Sequence, residues 1–189
     1  MRAFIAIEIP AKVKKQIGAF QKGLTAALPA AKITKPENLH LTLKFLGEIS
    51  PSQAENIRKI ITEAARLTPP FPLKIKNAGA FPNYRRPRII YLEADDSAGR
   101  IGRLAGRLHK AKAENTDPDN RTPSFKAHIT IGRLKSPGCG ELEEILKELE
   151  KKNPVRNLEF EAASVGLFQS ILCPEGPMHL LLERYALGK

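Results

Sequence analysis

The stretch Asn38-Leu39-His40-Leu41-Thr42-Leu43-Lys44-Phe45-Leu46-Gly47 decides how the chain is read. In an extended strand the side chains alternate between faces, so His40 and Thr42 share one face while Leu39, Leu41, Leu43 and Phe45 share the other. A second copy, His128-Ile129-Thr130-Ile131-Gly132-Arg133, sets His128 and Thr130 against Ile129 and Ile131. Each copy predicts a half-buried strand that presents an imidazole and a hydroxyl away from the core. Strict alternation also carries Lys44 onto the His40 face, where it is a candidate phosphate contact. The same rule sends Arg133 to the core face unless the strand ends or bulges at Gly132.

An imidazole and a hydroxyl, presented twice, suit in-line displacement at phosphorus. That reaction needs a base beside the entering oxygen and an acid beside the leaving one. Imidazole titrates near neutrality and can fill either role, and Thr hydroxyls can donate to the non-bridging phosphate oxygens. His40, His128, Thr42 and Thr130 are therefore the candidate catalytic residues, and the scheme needs no metal and no other cofactor. A zinc site would call for a third ligand at recognisable spacing, and none accompanies either motif. Of the four histidines, His109 reads as structural and His179 stays outside the catalytic set. Cys139 and Cys173 sit in turn-like surroundings and read as free thiols rather than a disulfide or a nucleophile.

With both motifs and their flanks in view, the sequence resembles the two-histidine phosphoesterase superfamily, and within it the RNA 2′,3′-cyclic phosphodiesterase branch, also called LigT-like or 2′-5′ RNA ligase. The residues that carry the likeness are Met1-Arg-Ala-Phe-Ile-Ala-Ile, Glu37 through Glu48, Phe125 through Arg133, Phe168-Gln-Ser-Ile-Leu and Gly176-Pro177. The resemblance implies two lobes related by a pseudo-twofold axis, each supplying one His-x-Thr to a shared cleft. It implies opening of 2′,3′-cyclic phosphates at RNA ends to 2′-phosphomonoesters, with reversible 2′-5′ RNA joining at the same site. It further implies His40 as acid, His128 as base and Arg133 as a phosphate contact. Two positions depart from the pattern: Ala127 stands where the family usually has Pro, and His179 where it commonly has an aromatic residue.

At 189 residues, 42% apolar and 27% charged, the chain has the composition of one globular domain, read as 1–189, and not of a disordered chain. No tract approaches the ~20 apolar residues of a membrane span. The apolar start carries Glu8 and runs into a Lys-rich helix, unlike a signal peptide, so a cytoplasmic protein is expected. The net charge of +11 points toward polyanions.

Along the chain, periodicity predicts strands at 2–9, 32–34, 39–46, 73–77, 89–93, 155–168 and 178–187. Helices are predicted at 11–28, 50–67, 95–115 and 141–152. Residues 79–88 read as a loop in which Phe81, Tyr84 and Arg86 interleave rings and guanidinium groups, a pattern that can stack a base and hold a phosphate. Residues 116–124 read as a polar loop. The expected fold is α+β, two-lobed, with antiparallel sheets and flanking helices around a central cleft. The expected partner is RNA ending in a 2′,3′-cyclic phosphate, tRNA fragments among the candidates, acted on by a monomer. A non-catalytic RNA-binding module, and the same chemistry on a small nucleotide, are the alternatives.

Overall fold

The structure, a computed structural model, describes residues 1–109, 125–135, 141–156, 158–174 and 176–189. In order the elements are β1 (Arg2–Glu8), α1 (Ala11–Ala27), β2 (Lys32–Ile33), a 3-10 turn (Pro36–Asn38), β3 (His40–Glu48), α2 (Pro51–Arg66), β4 (Phe71–Phe81) and β5 (Ile89–Asp95), followed by α3 (Arg100–Leu108), β6 (His128–Arg133), α4 (Leu142–Lys152), β7 (Glu159–Ala162), β8 (Ser164–Cys173) and β9 (Gly176–Ala186). The continuation of α3 past 109, the loop at 116–124 and the turn around Cys139 lie outside the described residues.

Local chemistry explains where the helices begin. Ser50 accepts from the Gln53 N–H at 3.2 Å while Gln53 accepts in return from the Ser50 N–H at 2.7 Å, and Pro51 occupies the first turn. The buried Asp96 carboxylate accepts from the Arg100 and Ile101 N–H groups and so caps α3. Each helix buries an apolar stripe, such as Val13, Ile17, Phe20 and Leu24 of α1.

The strands form one antiparallel sheet in the order β7-β4-β5-β6-β3-β1-β8-β9, with β2 added beside β6. β3 and β6 meet at its centre, Leu41 opposite Ile129. An antiparallel register through that pair sets His40 across from Thr130 and Thr42 across from His128, so the sequence repeat becomes a local twofold.

The symmetry extends outward from this pair. β1-α1-β3-α2-β4 and β5-α3-β6-α4-β8 follow the same path, and the last strand of each half bonds to the first strand of the other: β4 to β5, and β8 to β1. The helices also pair across the halves, α1 with α4 and α2 with α3. One cluster of buried residues draws on all four helices and both halves of the sheet. A smaller one, Phe4, Ala6 and Phe168, lies on the opposite face.

Several sequence expectations need correction. β4 runs through Gly79 and Ala80 to Phe81, so the loop begins only after Phe81. The long strand expected over 155–168 is two strands, β7 and β8, interrupted at Ala163. Phe45 does not join Leu41 and Leu43 in the core: it is 69% exposed.

Candidate active site

A cavity of about 580 Å³ opens over the centre of the sheet. His40, Thr42, His128 and Thr130 all line it, so both motifs are brought together as expected. Around them stand Arg2, Lys32, Lys35 and Arg133, and among the described residues no Asp or Glu joins the lining. A concave, low-dielectric site edged by one sign of charge attracts phosphates.

The two imidazoles are held in the same way. His40 Nδ1 lies 2.7 Å from the Asn38 carbonyl and His128 Nδ1 lies 2.7 Å from the Lys126 carbonyl. A carbonyl oxygen can only accept, so Nδ1 carries the hydrogen in both rings and Nε2 keeps the lone pair or takes the working proton. Rings brace each imidazole from behind. Phe4 packs against His40 at 4.7 Å between centroids, with Phe168 stacked on Phe4. Phe81 and Tyr91, stacked at 4.2 Å, meet His128 edge-on.

Burial lowers the proton affinity of both rings. The His40 imidazole is pushed down to about 4, desolvation being the main cause, opposed by its bond to Asn38 and assisted by His179, Lys14 and His128. His128 is also lowered, again mainly by desolvation, with Lys126 and Arg133 adding positive charge nearby. At pH 7 the unliganded site therefore holds two neutral imidazoles, and a bound phosphate must supply the negative charge that lets one of them keep a proton.

The strands bulge at matching places. Pairing of β1 with β3 slips by one residue between Ile5 and Ala6, leaving Leu43 unmatched, and pairing of β5 with β6 slips between Ile90 and Tyr91, leaving Ile131 unmatched. Each slip reverses the alternation three residues past the histidine. The fifth residue after each histidine then turns to the cleft. That residue is Phe45 in one copy and Arg133 in the other, and both line the cavity. An end or a bulge at Gly132 was anticipated for Arg133; β6 runs on through Arg133 and the bulge falls one residue earlier, at Ile131, whereas its twin in β3 was missed. The shared offset in the two motifs was the signal that could have exposed it.

The same bulge removes Lys44 from the cleft. Its ammonium lies 3.3 Å from His109 Nδ1 and 3.3 Å from the His109 carbonyl at the end of α3. The expected loop contacts also fall elsewhere. Phe81 backs His128, Tyr84 packs partly buried on the core with its hydroxyl donating to the Ala78 carbonyl at 3.4 Å, and Arg86 is exposed away from the lining. Of the proposed substrate contacts only Arg133 lines the cavity. Arg2, Lys32, Lys35, Asn38 and Phe45 were not foreseen there. His179 lies in the lining too, its ring perpendicular to His40 at 5.1 Å.

A shallower groove of about 400 Å³ beside β4 contains Lys74, Lys76 and Arg156. Its lysines are matched by acids, Lys76 with Asp95 at 2.8 Å and Lys74 with Glu159 at 3.9 Å, so it lacks the charge excess of the central cavity.

Comparison with known proteins places the chain in a family. An RNA 2′,3′-cyclic phosphodiesterase of Aquifex aeolicus is 29% identical over 100% of this chain and 98% of its own length. One from Archaeoglobus fulgidus is 30% identical over 95% and 96%. A crystal structure of a Thermus thermophilus protein superposes with a TM-score of 0.82 at 29% identity, covering 100% of this chain and 98% of that one. Escherichia coli LigT complexed with 3′-AMP gives 0.70 at 25%, with the same coverage. The family model described as LigT like Phosphoesterase matches twice, over residues 7–91 and 92–179, so the repeat seen in the fold is detectable in each half. With two such matches spanning nearly its whole length, the chain belongs to the LigT-like phosphoesterase family.

Proposed function

We propose that the protein is an RNA 2′,3′-cyclic phosphodiesterase: it adds water to a terminal cyclic phosphate and leaves a 2′-phosphomonoester. The observation that carries this reading is the pair of imidazoles on adjacent strands of one cation-edged cavity, each with Nδ1 committed to a carbonyl. In the reaction the water oxygen bonds to phosphorus and gives its proton to His128 Nε2. The bond from phosphorus to O3′ breaks, and His40 delivers a proton to O3′. Thr42 and Thr130 donate to the non-bridging oxygens, and Arg133 offsets their charge. With an RNA hydroxyl in place of water, the same steps in the same direction join ends through a 2′-5′ linkage: the hydroxyl oxygen bonds to phosphorus, its proton goes to His128, and the bond from phosphorus to O3′ breaks with the proton from His40.

The relatives' names support the substrate class. The basic lining supports a polyanion over a small neutral nucleoside, and tRNA fragments are one source of such ends. We read the chain as one domain, 1–189, working as a cytoplasmic monomer without a metal.

The test is product identification after incubation with an oligonucleotide bearing a 2′,3′-cyclic phosphate, in EDTA. A 2′-phosphate end formed with turnover is the expected result. Saturable binding with the RNA recovered unchanged would establish a binding module instead. Faster turnover of a cyclic mononucleotide would transfer the activity to small substrates, and a strict requirement for a divalent ion would remove the two-histidine scheme.

A further inference from the structure

Each motif histidine is held by the main chain of the residue two before it, and the side chain of that residue is tied to a different strand. For His40 the residue is Asn38, whose carbonyl accepts from His40 Nδ1 while its Nδ2 donates to the Pro177 carbonyl on β9 at 2.7 Å. For His128 it is Lys126. The Lys126 ammonium donates to Tyr91 Oη at 2.7 Å, pairs with Glu93 Oε2 at 3.2 Å, and stands over the rings of Tyr91 and Phe81 at 5.0 and 5.9 Å.

Asn38 closes a 3-10 turn, its N–H bonded to the Lys35 carbonyl at 2.9 Å, so its backbone is already fixed. Lys126 lies outside any such turn. Residues 125–127 belong to no helix or strand, and among the described residues the backbone bond on this segment is the Ala94 N–H on the Ala127 carbonyl at 3.0 Å, one residue further on. An acceptor on irregular chain orients a ring only if something fixes the acceptor.

We infer that Lys126 is a positioning residue for His128: its ammonium, clamped by Tyr91 and Glu93 of β5, fixes the carbonyl that commits His128 Nδ1 to donating and leaves Nε2 turned to the phosphoryl group. Asn38 is the neutral counterpart on the His40 side. The clamp also has an electrostatic consequence, because a cation beside His128 lowers its proton affinity. Among the described residues, the other charged or titratable groups around that ring are Arg133 on its own strand, Tyr91 and Glu93 on β5 and His40 on β3, while Phe81 of β4 presents only a ring. The Lys126 proton is itself held, first by the hydrogen bond to Tyr91 and then by Glu93, so the clamp stays cationic through neutral pH.

The experiment is nitrogen-15 NMR of labelled histidines in the substrate-free protein, comparing wild type with Lys126→Met, Lys126→Gln and Lys126→Arg. The Lys126 side chain is 44% exposed, so none of these changes disturbs the core. Wild-type His128 is expected as the Nδ1–H tautomer. Lys126→Met should mix the tautomers and raise the His128 titration midpoint while His40 stays as it was. Lys126→Arg should restore both properties, whereas Lys126→Gln, which keeps a donor for Tyr91 but not the charge, should restore the tautomer alone. The catalytic arm rests on the phosphodiesterase reading: Lys126→Met should lose roughly tenfold or more in kcat with KM little changed, as expected when a reacting group is misplaced. A His128 tautomer in Lys126→Met identical to that of wild type would overturn the assignment. The spectra need no RNA, so they decide it even if the protein proves inactive on cyclic phosphates.

Discussion

At the scale of single residues, the site depends on two imidazoles being buried enough to lose protons yet open enough to meet a phosphate. The His40 shift has a consequence for stability whose sign is fixed by linkage. In the unfolded chain the ring takes a proton near 6.5, whereas in the fold it does so only at about 4. The contribution is present in full above pH 6.5 and is lost as the pH falls toward and through 4, an effect of up to roughly 3 kcal/mol. Denaturant unfolding between pH 7.5 and 4 should show a shallower loss in His40→Gln than in wild type. Identical slopes would mean that the ring is solvated in the free protein. The acid and base roles proposed for the two histidines separate by leaving group. A substrate whose leaving oxygen needs little protonation should rescue His40→Ala and not His128→Ala, and the opposite pattern would exchange acid and base.

At the scale of elements, the bulges do what regular strands cannot. Without them the fifth residue after each histidine would face the helices. With them, one copy offers an aromatic face and the other a guanidinium, so a symmetric floor acquires unlike rims. Phe45→Ala should raise KM for the RNA with little change in kcat, because a stacked base is bound alike in the ground and transition states. Arg133→Met should lower kcat/KM and flatten its salt dependence. Lys44→Met, with its ammonium at His109, should change neither; a KM effect there as large as that of Phe45→Ala would mean that β3 is not bulged in solution. Phe81→Ala is expected to act on kcat, since the ring braces His128. These elements also show what was legible beforehand. Alternation and helical spacing located the strands, the helices and the four motif side chains, because those depend on burial alone. The bulges depend on register between strands distant in sequence, so Phe45, Lys44 and the 79–81 segment were misplaced. Apart from Arg133, which the family resemblance implied, the cationic rim was invisible for the same reason: Arg2, Lys32 and Lys35 join it only through the tertiary fold.

At the scale of the whole molecule, the internal repeat does not amount to two independent lobes. Each half surrenders its last strand to the other: β4 is bonded to β5, and β8 is bonded to β1. The helices follow the same exchange, α1 lying on α4 and α2 on α3. A half on its own would leave one hydrogen-bonding edge of its first strand unpaired, the condition under which strands aggregate. Breaking the chain between the exposed Arg85 and Arg86, in the connection from β4 to β5, provides the test. Residues 1–85 and 86–189 expressed separately should fail to give a cooperative unfolding transition, while the two expressed together should assemble, restore one transition and recover activity, since every interstrand bond of the intact sheet can re-form across the break. A stable, cooperatively unfolding 1–85 fragment would show that the exchanged strands are dispensable and that the site is assembled from two self-sufficient units; recovery only on co-expression would instead establish that the cleft, with one histidine from each half, exists only once the two halves have exchanged strands.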